Sequence, residues 1–317
     1  MYSWRLRMEK KLVNTKRMFE DAIKGNYAIR AFNFSNMEMC QGIVKAADEE
    51  GKDIILAVSA GAVRYAGVNY IKGIVDAAVM ESTVNLALHL DHGDSVEICK
   101  ECIDAGFTSV MFDGSHLPFE ENIRLTKEVV AYAHPRNVSV EAELGILAGI
   151  EDDIEHAETV YTNPEDAIKF ISETNCDSLA IAIGTSHGPN KFEGIPKLRF
   201  DILEDIRKEL PDYPIVLHGT SSIDEADIKT INANSGCINN EDECLRDASG
   251  VSNELIKRAI ELNVCKLNYA TDIKLAMTAG IREYLNNNPK EIDPRVYIDA
   301  GTKLVTKRVQ ATLKSIS

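Results

Sequence analysis

Val84-Asn85-Leu86-Ala87-Leu88-His89-Leu90-Asp91-His92-Gly93 is an apolar, β-like run that ends on an acid, an imidazole and a glycine. Two other runs also end near an imidazole and a glycine. Residues 178–183 lead into Gly184-Thr-Ser-His187, and residues 214–217 lead into His218-Gly219. The C-terminal end of a strand is where α/β proteins place their chemistry. Three imidazoles at three strand ends can hold one Zn²⁺ with a fourth position open, the layout of a catalytic site.

Working outward, the spacing predicts strands over 29–34, 54–58, 84–90, 109–112, 138–143, 178–183, 214–217 and 264–268. Helical patterns lie between them, at 37–49, 70–81, 95–105, 119–133, 164–174, 199–209 and 252–262. Strands alternating with helices imply right-handed βαβ units and a parallel sheet. Eight such repeats fit a closed (β/α)₈ TIM barrel better than an open sheet, and they place the candidate metal site at the C-terminal ends of the strands. Thr15 and Ser95 read as helix N-caps, and Gly106 as a C-cap glycine.

The chain has 317 residues, 44% hydrophobic and 27% charged, enough for a sizeable core. Its formal net charge of −15 argues against nucleic acid or an anionic membrane as partner. It leaves phosphorylated small molecules open, since local cations and backbone N–H groups bind phosphate inside acidic proteins. No apolar run is long enough for a membrane span, and the N-terminus lacks the apolar stretch of a signal peptide. Residues 1–10 read as a tail and 11–317 as one barrel domain, with a polar loop insertion at about 232–250. The seven cysteines are scattered and odd in number, which reads as free thiols in a cytoplasmic protein.

Five constellations carry chemistry. In Leu88-His89-Leu90-Asp91-His92-Gly93, alternation puts His89 and Asp91 on one strand face. An acid beside a metal ligand suits a centre where a carbonyl is polarised and a proton moved. The bland alternative is a turn capped by Asp91, with His89 a hydrogen-bonded strand histidine. The segments Gly184-Thr-Ser-His-Gly188 and His218-Gly-Thr-Ser221 each join a histidine to small residues and exposed N–H groups, which cradle phosphate. In Val140-Glu-Ala-Glu-Leu-Gly145, Glu141 and Glu143 share a face and need a metal or cation to be buried. Glu151 follows a small-residue stretch suited to a mobile loop, or belongs to a solvated acidic loop. Lys266-Leu-Asn-Tyr-Ala-Thr-Asp-Ile-Lys274 leaves the eighth strand for a helix, where barrels form phosphate sites. There Asn268, Thr271 and Lys274 are candidates, the alternative being a cap at Thr271 and an exposed Lys274. Asp113, ending the fourth strand, reads either as the orienter of a ligand or as a cap.

Together and in order, these motifs resemble the class II, metal-dependent ketose-bisphosphate aldolases. The segments that carry the resemblance are Leu90-Asp-His-Gly93, Asp113-Gly-Ser-His-Leu-Pro-Phe-Glu-Glu-Asn-Ile123, Val140-Glu-Ala-Glu-Leu-Gly145, Gly184-Thr-Ser-His-Gly188 with Lys191-Phe192, and His218-Gly219. The resemblance spans about Lys11 to the C-terminus. It implies a TIM barrel that reversibly cleaves fructose 1,6-bisphosphate into dihydroxyacetone phosphate and glyceraldehyde 3-phosphate. It implies His92, His187 and His218 as zinc ligands, Asp91 as the acid at the C4 hydroxyl, and Glu151 as the mobile-loop proton carrier. Asn33, Ser59, Gly188, Lys191, Gly219, Ser221, Asn268, Thr271, Lys274 and Arg295 become substrate and phosphate contacts. Asp113, Glu141 and Glu143 support them. The arginine of Asp293-Pro-Arg295 reaches a partner subunit in relatives, which implies a homodimer or homotetramer. A monovalent cation, K⁺ or Na⁺, is implied near the phosphate loops.

The chain departs from that pattern at Ala270, where fructose-bisphosphate enzymes often carry Asp. Relatives specific for tagatose 1,6-bisphosphate resemble Asn268-Tyr-Ala-Thr271, so Ala270 reads as a specificity position and the tagatose epimer as the rival substrate. Arg30 stands where relatives usually have Gly, and Ala148 replaces another Gly. A more distant reading is a zinc hydrolase on the same fold, for which the phosphate-suited residues would be superfluous.

Overall fold

The computed structural model describes residues 12–151, 154–156, 158–188, 197–221, 223–235, 244–245 and 250–316. The expected tail 1–10, Lys191 and most of the 232–250 insertion lie outside the described residues. Of that insertion, Asn232 and Ala233 belong to a helix, α9 (Glu225–Ala233).

Eight parallel strands close into a barrel: β1 (Ile29–Asn33), β2 (Ile54–Ser59), β3 (Leu86–Gly93), β4 (Ser109–Phe112), β5 (Ser139–Leu144), β8 (Ser178–Ile181), β10 (Ile215–Leu217) and β11 (Val264–Tyr269). Pairing of β1 with β11, Ile29 to Lys266 through Phe32 to Tyr269, completes the ring. These are the eight strands expected from sequence, each boundary within three residues. Three short strands were not expected: β6 (Ala148–Glu151), β7 (Ile154–His156) and β9 (Ser186–His187) form a small sheet of their own. They are too short, and too rich in Gly and charge, to carry a strand period.

The outer faces of the strands and the surrounding helices form the main core, with Phe32, Leu56, Leu88, Val110, Val140, Leu179, Leu217 and Leu267 all buried. The lower interior is plugged by α1 (Thr15–Gly25). Its Met18, Phe19 and Ala22 pack against Ile29, Ala31, Ile55, Ala57, Ala87 and Cys265. Burying Phe19 alone is worth about 2–3 kcal/mol. The N-cap of α1 is Asn14, not Thr15. Thr15 points inward instead, to Ser139 Oγ at 2.7 Å. Ser95 does cap its helix, α5 (Val96–Asp104).

The cysteine expectation needs correction. Cys40, Cys99, Cys102, Cys176 and Cys265 are free and buried, but Cys244 is disulfide-bonded. Scattered spacing gave no sign of the Cys244 bridge. Among the described residues, no helix is long and apolar enough to cross a membrane.

Candidate active site

Two local irregularities bring the candidate residues together. β3 pairs with β4 in register through Leu90–Val110, then shifts so that Gly93 meets Phe112. Within this bulge His92 takes the left-handed conformation, φ 45°. In a regular strand Asp91 and His92 would face opposite sides. The bulge re-aims His92, so acid and imidazole face one cavity. A non-glycine residue at this φ costs on the order of 1–3 kcal/mol and persists where surrounding contacts impose it. Gly93 permits the turn: a Cβ there would lie 2.5 Å from the Met111 carbonyl oxygen.

Asp91 is 1% exposed. The side-chain amides of Asn33 and Asn268 donate to its two oxygens at 2.7 and 2.8 Å. Each amide keeps a buried Oδ1 with no hydrogen-bond partner. Ser59 lies opposite Asp91 in the β2–β3 register, and its Oγ caps the following helix, accepting from the Ala62 N–H.

His92 and His218 meet edge to face, ring centroids 4.5 Å apart. His92 Nε2 lies 2.8 Å from His218 Nδ1. On its other side, His92 Nδ1 faces Asp113 Oδ2 at 2.8 Å and Glu143 Oε2 at 3.4 Å. His218 Nε2 faces Glu141 Oε1 at 3.0 Å. Carboxylates accept, so His92 Nδ1 and His218 Nε2 carry the ring protons. The two nitrogens that face each other are then the unprotonated ones, two lone pairs turned to one point. That arrangement calls for a cation between them, and the donor set of Asp91, His92 and His218 lies within 4.8 Å of itself. Asp113 both orients and caps: its Oδ1 accepts from the Ser115 N–H at 3.0 Å. Burial pushes its carboxyl up, but the hydrogen bonds from the His92 ring and from Ser115 outweigh this and hold it well below the usual range.

The His187 backbone lies in β9, which pairs with β6 through Ala148–Ser186 and Gly149–His187. The strand that carries Glu151 is thus tied to that of His187. The side chains of His187 and Glu151 lie outside the described part of the molecule. Gly219, at φ 66°, packs onto Ser186 so closely that a Cβ would lie 2.5 Å from the Ser186 carbonyl oxygen. This contact brings the loop after β10 against the strand of His187. Gly188 is also left-handed, φ 80°.

The loop after β10 is stitched to the start of α11 (Thr271–Asn287). Thr220 Oγ1 donates to the Asn268 carbonyl at 2.7 Å, and Ser221 Oγ accepts from the Ala270 N–H at 3.2 Å. Ala270 occupies the N-cap position of α11, Thr271 the first helical one, and no side chain caps the helix. Lys274 follows one turn on and is exposed. Arg295 stands apart from these residues within the chain, its guanidinium paired with Asp293 at the start of α12 (Pro294–Ser315) and 88% exposed.

Sequence reasoning missed Lys266. It is 0% exposed, and its ammonium contacts Glu141 and His89 inside the barrel. The signal was available: Lys266 and Asn268 are two apart in an otherwise apolar strand, so they share the inner face. His89 is the hydrogen-bonded strand histidine expected, with Nδ1 2.8 Å from Ser109 Oγ.

A parallel barrel with an acid and paired imidazoles at its C-terminal mouth defines an α/β-barrel enzyme built for polar chemistry at that mouth. The chain belongs to the class II fructose-bisphosphate aldolase family, which it matches over residues 13–317, and is a lyase. It is 44% identical over 306 residues to the fructose-bisphosphate aldolase of Treponema pallidum, covering 90% of each chain. It is 43% identical over 307 residues to that of Giardia intestinalis, covering 96% of this chain and 92% of the other. Among solved structures it is similar to the YdjI aldolase from Escherichia coli K12, with TM-score 0.75 and 30% identity over 97% of this chain and 98% of that one.

Proposed function

We propose that the chain cleaves fructose 1,6-bisphosphate reversibly to dihydroxyacetone phosphate and glyceraldehyde 3-phosphate, using Zn²⁺ held by His92, His187 and His218. The observation that carries this is the approach of His92 Nε2 and His218 Nδ1 to 2.8 Å beside Asp91, with a carboxylate on the far side of each ring. Zn²⁺ bound there would act as a Lewis acid on the ketose carbonyl, drawing off the charge that develops as the C3–C4 bond breaks.

Asp91 takes the C4 hydroxyl proton as that bond breaks and the C4 aldehyde forms. Its two oxygens are anchored by Asn33 and Asn268, so it is oriented before substrate arrives. The unpartnered Oδ1 atoms of both asparagines are acceptors suited to sugar hydroxyls, which supports their assignment as substrate contacts along with Ser59. Glu151 delivers a proton to the dihydroxyacetone phosphate carbon. Gly188, Gly219, Ser221, Asn268 and Thr271 bind one phosphate, and a K⁺ or Na⁺ ion sits near their loops. Lys274 binds toward the other, joined by Arg295 of the partner subunit in a homodimer or homotetramer, and Lys191 is a further substrate contact. An Arg295 exposed within its own chain is consistent with that role. A cytoplasmic location belongs to the same reading.

The rival substrate is tagatose 1,6-bisphosphate, favoured by Ala270 at the N-cap position of α11. The test is cleavage of fructose 1,6-bisphosphate before and after exhaustive chelation, with zinc added back. Full activity in chelated protein sinks the metal reading, and turnover of the tagatose epimer alone sinks the substrate assignment.

A further inference from the structure

Below the candidate metal centre, Lys266 stands where a barrel interior usually packs aliphatic side chains. Its ammonium donates to Glu141 Oε1 and Oε2 at 2.9 and 2.8 Å and lies 3.0 Å from His89 Nε2. These contacts engage all three of its N–H groups, and an ammonium accepts nothing. Every neighbour must therefore turn a lone pair toward it. His89 meets this by carrying its proton on Nδ1, donated to Ser109 Oγ at 2.8 Å. Burial and the Lys266 charge hold His89 well below the ordinary imidazole value, so the ring stays neutral. On the other side, Glu141 is fixed with both oxygens engaged, and Oε1 receives the His218 Nε2–H at 3.0 Å.

Donation thus converges on Glu141, from Lys266 inside the barrel and from His218 at its mouth. We propose that Lys266 is a positioning residue: by orienting Glu141 it selects the Nε2–H tautomer of His218, whose bare Nδ1 then faces His92 as a metal ligand. The inference rests on the zinc reading of His92, His187 and His218. Stability alone does not account for the lysine, because a buried ion pair is often replaceable by packed apolar side chains at no loss. A donor-only group at this point is what the tautomer requires.

The experiment uses full-length protein carrying ¹⁵N-histidine, metal-free, as wild type and as Lys266→Met. Ring-nitrogen spectra are read beside zinc affinity, measured by competition with a chromophoric chelator. In the wild type, His218 should show a protonated Nε2 and a bare Nδ1. In Lys266→Met both tautomers should be populated, zinc affinity should fall by about 10–100-fold, the scale for groups that orient metal ligands, and KM should stay near the wild-type value. Lys266→Gln serves if the Met variant does not fold, and the wild-type spectrum decides independently of either. Nδ1-protonated His218 in the wild type overturns the proposal. So does a folded variant with wild-type tautomer and zinc affinity, which leaves the zinc centre standing. A wild type that binds no zinc overturns both.

Discussion

His92 and His218, 126 residues apart in the chain, bring ring nitrogens to 2.8 Å while carboxylates hold the far side of each ring. The pair is oriented on both flanks before any ion arrives. His218→Ala should therefore abolish zinc binding. Asp113→Asn should weaken it by about 10–100-fold, because it loosens the Nδ1–H anchor of His92. Equilibrium dialysis against zinc checks both, and an Asp113→Asn protein with undiminished affinity would show that the anchor is idle.

Asp91 is the acid–base group in the proposed reaction. Asp91→Ala should lower kcat by roughly 10²–10⁴-fold with the metal content unchanged. Asn268→Ala releases one of the two carboxylate anchors and should cost less, mostly in kcat/KM. Steady-state kinetics beside metal analysis separates this from loss of the ion.

Ala270→Asp restores the carboxylate found in many fructose-bisphosphate enzymes. A polar contact to a substrate hydroxyl discriminates strongly when its partner is missing. The ratio of kcat/KM for fructose over tagatose 1,6-bisphosphate should rise. An unmoved ratio removes Ala270 from epimer choice.

Gly219→Ala would place a methyl against the Ser186 backbone at a left-handed φ. It should destabilise the protein by about 1–3 kcal/mol and shift the strand of His187. Thermal unfolding of the metal-free protein, with zinc affinity alongside, reads both effects. If stability falls and affinity does not, the contact serves the fold alone.

Burial raises the thiols of Cys40 and Cys102 to about 12 and of Cys176 to about 11, against an ordinary 9.0. Their folded values exceed the unfolded ones, so their contribution is whole below pH 9 and is lost as pH rises toward 11–12. Each should add a slope of about 1.4 kcal/mol per pH unit within that window. Urea unfolding between pH 8 and 11 measures it, and Cys40→Ala should flatten the slope. An unchanged slope would mean that the Cys40 thiol does not sense its burial.

The barrel was legible because eight apolar runs, each ending in polar punctuation, recur between amphipathic helices. His92 and His218 were legible for the same reason, as strand-end residues. What alternation could not show is that consecutive Asp91 and His92 face the same way, since that depends on a register shift set by the partner strand β4. Nor could it show the cation that neutralises Glu141, because Lys266 lies 125 residues away. The small sheet of β6, β7 and β9 escaped for lack of any period, and the Cys244 bridge for lack of a spacing rule.

β1 finds its second neighbour only in β11, and Arg30 of β1 donates to the carbonyl of Ile316. The first strand therefore waits for partners far downstream in the chain. On a ribosome, the growing polypeptide is an open sheet with two bare edges until β11 emerges, the form most in need of a chaperone. Lys266 belongs to the strand that closes the ring, so the proposed site is incomplete until that strand is in place. Metal loading, on this architecture, follows the closing of the ring.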